Sequence, residues 1–79
     1  MDWRDHIDSD PAVIGGKPRI RGTRIGVQFL LERFAAGWTV EQVLESYPHL
    51  TQKDIQAVFA FASEITEDVW LTPVRRGAA

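Results

Sequence analysis

Lys17, Arg19, Arg21 and Arg24 fall within eight positions, interleaved with Pro18, Ile20, Gly22 and Thr23, directly after Gly15-Gly16. They are four of the nine basic residues in a 79-residue chain of net charge −2. Positive charge gathered on one turn-rich element of an otherwise acidic chain builds a local surface for an anionic partner. Arginines beside a backbone turn suit phosphate contact or insertion into a minor groove. The competing reading pairs Arg19, Arg21 and Arg24 with the chain's own eleven carboxylates, because surface ion pairs are common. A second set, Gln52, Lys53 and Gln56, opens an amphipathic segment. Glutamine can pair bidentately with adenine, and lysine can reach guanine or phosphate; the alternative is an ordinary solvated helix face. A third set, Trp70, Leu71 and Val74, surrounds Pro73. These apolar residues either anchor in a partner protein or fold back onto the domain.

Catalytic chemistry is not indicated. His6 and His49 lack the spacing of a metal pair, and Ser9, Ser46 and Ser63 lack a nucleophile elbow. Gly15-Gly16-Lys17 resembles a fragment of a phosphate loop, without the strand–loop–helix such a loop requires. The chain has no cysteine, hence no disulfide and no thiolate zinc site. The expectation is a binding protein with no catalytic residue, no metal and no cofactor.

Three helices must position these residues. Val27, Leu30, Leu31 and Phe34 recur at helical spacing, and Gly37 is the expected stop. Phe29 points away from that stripe and needs a cover, from the N-terminal arm or a second subunit. Thr39-Val40-Glu41-Gln42 is a capping box opening a second helix, with Val40, Val43, Leu44 and Tyr47 inward and a stop before Pro48. Thr51 caps a third helix, in which Asp54 also favours the helix dipole. Ile55, Val58, Phe59 and Ala62 are its expected core positions, and Thr66 its approximate end. Residues 1 to 24 read as extended segments and turns. Ala12-Val13-Ile14 and Arg19-Ile20-Arg21 flank Gly15-Gly16, which predicts a small hairpin or arm. The fold class is therefore mainly α, a three-helix helix-turn-helix bundle with a short N-terminal hairpin. Residues 1–67 form the domain and residues 68–79 a tail.

Charge is segregated along the chain. Residues 17 to 33 carry a local +4 and residues 41 to 68 a local −5. No apolar run approaches the roughly 18 residues of a membrane span, and the charged start lacks a signal-peptide core. A cytoplasmic protein with no membrane partner is expected.

Asp10-Pro11, Gly16-Lys17-Pro18, Arg21-Gly22-Thr23-Arg24-Ile25, Ala36-Gly37, Tyr47-Pro48, Leu50-Thr51 and Asp54-Ile55 resemble the DUF433 family of small prokaryotic proteins over about residues 7 to 64. That resemblance implies a homeodomain-like helix-turn-helix fold. It also implies an antitoxin of a type II toxin–antitoxin pair, neutralising a PIN-like nuclease and regulating its own operon. This chain has Gly26 where the family commonly has proline, which implies a looser start to the first helix. Operator DNA would be met by Lys17, Arg19, Arg21, Arg24, Gln52, Lys53 and Gln56. The toxin would be met by Trp70, Leu71 and Val74. A homodimer is expected, with the arm at or near its interface. The alternative is a protein-interaction module that scaffolds or inhibits a partner without DNA, favoured by the acidic helical half.

Overall fold

The computed structural model describes residues 1–72. A 3₁₀ turn at Trp3–Asp5 leads into β1 (Ile7–Asp8), a second 3₁₀ turn at Ile14–Gly16 and β2 (Arg19–Ile20); α1 (Val27–Ala35), α2 (Val40–Ser46) and α3 (Gln52–Thr66) follow. No helix among the described residues is long and apolar enough to cross a membrane. The architecture is mainly α, a three-helix helix-turn-helix bundle with a two-stranded N-terminal sheet.

The strand partner differs from the sequence expectation. β2 pairs antiparallel with β1, Ile7 opposite Ile20 and Asp8 opposite Arg19. Ala12-Val13-Ile14 forms no strand. The physical reason is burial: Ile7 and Ile20 are both buried, so the register puts one apolar pair inward. The Gly15-Gly16 signal marks a 3₁₀ turn with both glycines at positive φ. Ile14 joins them at φ 44°, a conformation that β-branched residues avoid.

Local chemistry fixes the helix ends. α1 stops at a Schellman motif: Gly37 N–H donates to the Phe34 carbonyl and Trp38 N–H to the Arg33 carbonyl. Gly37, at φ 93°, takes the left-handed position. α2 and α3 both begin with reciprocal capping boxes, Thr39 with Gln42 and Thr51 with Asp54. Gly26 caps α1 without a side chain. A Cβ there would lie 3.1 Å from Ile14 Cδ1, so the missing side chain is the space that Ile14 fills.

Leu30, Val43, Ala57 and Val58 are fully enclosed at the centre. Two core assignments change. Phe59 is 45% exposed, tilted against Phe34 at 5.0 Å, and Ala57 takes the buried place. Phe29 is half-buried and covered from within the chain: Tyr47 meets it edge-on at 5.7 Å, and the Arg33 guanidinium lies 4.6 Å above its ring.

The N-terminal 3₁₀ turn lies along one face of α3. Trp3 packs edge-on to Phe61 at 4.9 Å and its indole N–H donates to Glu64. Arg4 reaches the same carboxylate at 3.0 Å, and His6 Nδ1 sits 2.9 Å from Asp54 Oδ1. Asp54, Ala57, Phe61 and Glu64 follow at helical spacing. The turn is thus a strap along one stripe, and Ala57 is buried on that stripe.

Candidate functional site

The basic element divides into two parts. Arg19 points inward: its Nε donates to Asp8 Oδ1 at 2.8 Å and its Nη1 to the Thr23 carbonyl at 3.1 Å, with Asp10 Oδ2 3.9 Å away. Its hydrogen bond holds the Asp8 carboxyl below the usual carboxylate range. The same bond raises the arginine further. Around it, the Thr23 hydroxyl donates to the Ile20 carbonyl and accepts from Ile25 N–H. Gly22 turns the chain at φ 78°. Gly22 and Thr23 of Arg21-Gly22-Thr23-Arg24, with Arg19 before them, therefore form a clip that closes β2 onto α1. Arg21 is exposed, yet its Nη2 donates to the Arg4 carbonyl at 2.7 Å and its Nη1 lies 3.5 Å from Asp8 Oδ2.

Lys17 and Arg24 make no ion pair among the described residues. Both line an open groove of about 810 Å³ between the Ile14 turn and α1. Its apolar wall consists of Ile14, Ile25, Phe29, Leu31, Tyr47 and Phe61. Glu32 also lines it, in contact with Gln28 at 3.4 Å. Composition could not reveal this groove, because its wall draws on residues far apart in the chain, from Ile14 to Phe61.

Gln52, Lys53 and Gln56 are all exposed at the start of α3. The Thr51 capping box fixes that end of the helix: the Asp54 carboxylate accepts from Thr51 N–H at 2.9 Å, and its other oxygen meets His6. The sequence reading missed His6 and Trp3. Their partners lie 48 and 61 residues away, beyond any short-range signal. Glu64, farther along the strap face, is held below its ordinary value by the Trp3 indole first and then by Arg4.

Val69, Trp70 and Leu71 follow α3 at 57%, 88% and 86% exposure. Val74, the third expected anchor, lies outside the described residues. Among the described residues no group of three or more His, Asp or Glu side chains is placed to hold a metal ion. The surfaces offered are thus an open helix start, an apolar groove with two cations, and an exposed apolar segment. All three suit binding of macromolecules.

Fold and surfaces together define a small helix-turn-helix protein whose N-terminal strap is tied to its third helix. The chain belongs to the DUF433 family, described as a protein of unknown function, whose profile matches residues 7–62. It is 37% identical over 59 residues to the uncharacterized protein y4eO of Sinorhizobium fredii, a match spanning 75% of this chain and 27% of that protein. It also resembles the crystal structure of a DUF433 member from Anabaena variabilis, with a TM-score of 0.76 at 34% identity, over 81% of this chain and 63% of that one. The chain thus matches about a quarter of the length of the first relative and under two thirds of the second.

Proposed function

We propose that the protein is a cytoplasmic DNA-binding antitoxin. In this reading a homodimer binds its operator through the start of α3 and holds a PIN-like nuclease toxin through Val69–Leu71. One observation carries the DNA reading: the first turn of α3 is open, with Gln52, Lys53 and Gln56 exposed together, while the strap occupies the adjoining stripe. In helix-turn-helix proteins the residues at this end of the second helix of the motif contact base edges. Arg19 and Arg21 are engaged within the chain, so phosphate contact falls to Lys53. So few contacts per subunit bind weakly and with salt dependence, and a dimer doubles them.

Fluorescence anisotropy on DNA from upstream of the protein's own gene tests this. Lys53→Ala should weaken binding across all sequences and lower the salt slope by about 1. Gln52→Ala with Gln56→Ala should relax sequence preference. Absence of any salt-sensitive binding removes the DNA reading. A protein-interaction module then takes its place, a reading favoured by the engagement of Arg19 and Arg21 with Asp8 and the Arg4 carbonyl.

A further inference from the structure

We propose that the groove between the Ile14 turn and α1 receives the acidic–apolar segment Glu67–Leu71 of a second copy of this chain. The two surfaces match in order of chemistry. The groove combines an apolar wall with Lys17 and Arg24, neither in an ion pair among the described residues. The segment runs Glu67, Asp68, then Val69, Trp70 and Leu71. Its two carboxylates also have no ion pair among the described residues, and its three apolar side chains are exposed. Glu32, the one carboxylate on the groove, leaves the lining net positive.

Ile14 supplies an independent reason to place an apolar occupant there. It is held at positive φ and remains 43% exposed at the groove. A β-branched residue in that conformation is strained, and such strain gathers at binding sites. One side of Ile14 packs over Gly26, and the turn leaves the rest of the side chain open at the groove for an apolar occupant to cover.

A second copy is the favoured occupant because Val69, Trp70 and Leu71 stay exposed rather than packing on their own domain, and their charge and apolar order complements the groove. Reciprocal docking makes a closed two-fold pair, each tail in the other's groove. An indole alone buries on the order of 200 Å². Two tails with the walls they cover reach roughly the 1,200 Å² at which specific interfaces begin. The inference stands apart from the DNA reading and competes with the toxin contact, because a segment seated in a second copy is not free to hold another protein.

Sedimentation equilibrium on the full chain at micromolar concentration tests it. The wild type should be dimeric. Trp70→Ala with Leu71→Ala should raise the dimer dissociation constant about thirtyfold or more, the mark of interface anchors. Both side chains are exposed, so circular dichroism should show the helices retained. Lys17→Glu with Arg24→Glu should weaken the dimer several-fold, and adding Glu67→Lys with Asp68→Lys should restore it. The chain has no cysteine, so Ile14→Cys with Leu71→Cys gives a clean trap. A covalent dimer joined between positions 14 and 71 supports the exchange. A wild-type monomer, a dimer indifferent to these substitutions, or a trap that closes within one chain overturns it. Operator binding is read in a separate assay, so loss of one reading leaves the other standing.

Discussion

Asp54→Ala should be among the most damaging substitutions of a charged residue in this domain. The carboxylate closes the Thr51 capping box with one oxygen and meets His6 with the other. Each hydrogen bond contributes about 1 kcal/mol net, and a negative charge in the first turn of a helix adds about 0.5 kcal/mol. The loss should therefore be on the order of 2–3 kcal/mol. A chain of this length has a total stability of about 4–12 kcal/mol, so the substitution removes a large share. At about 4–8 °C per kcal/mol, Tm should fall by roughly 8–24 °C. Asp54→Asn keeps one acceptor oxygen and should lose about half as much. Urea and thermal unfolding followed by circular dichroism give these values. A double-mutant cycle with His6→Ala should return a coupling of about 1 kcal/mol. If Asp54→Ala lies within about 0.5 kcal/mol of wild type, in the range of neutral surface substitutions, the strap does not hold the start of α3 and the reasoning fails.

Leu30→Ala should cost about 2–5 kcal/mol, because Leu30 is fully enclosed. Phe59→Ala should cost only about 1 kcal/mol, the worth of its aromatic contact with Phe34; equal losses in urea unfolding would contradict the core described above. Asp8 and Glu64 are held below their ordinary values of 3.8 and 4.5 by hydrogen bonds present only in the fold. The unfolded chain therefore binds protons first, and their stabilisation, complete at neutral pH, is lost as pH falls through and below that range. Urea midpoints measured from pH 7 downward should drop there, and the drop should shrink in Asp8→Asn; a midpoint independent of pH in that range would contradict these contacts.

The helices were legible because their signals are local. Thr39 with Gln42, Thr51 with Asp54, and Gly37 each act within four residues, so the chain states where α2 and α3 begin and where α1 ends. The strands were not legible, since pairing depends on two isolated apolar residues, Ile7 and Ile20, across a long connection. Helical periodicity misplaced Phe59 and Ala57 for a related reason. A single stripe describes a helix packed from one side, and the strap packs α3 from a second. The fate of the basic residues was equally hidden. Charge counting found the cluster, but only register, placing Asp8 opposite Arg19, separates the inward arginine from Lys17 and Arg24 at the groove.

The strap also sets an order of events. Trp3, Arg4 and His6 are made first, yet their partners on α3 follow 48 to 61 residues later. Until α3 is synthesised, the N-terminal turn has nothing to close against, although β1 can already pair with β2. Contacts of such sequence separation raise contact order and slow folding relative to a bundle of local helix pairs. They also join the two ends of the domain into one cooperative unit. Shortening either end therefore loosens both, and a protease that nicks the strap weakens the helix start proposed to meet DNA.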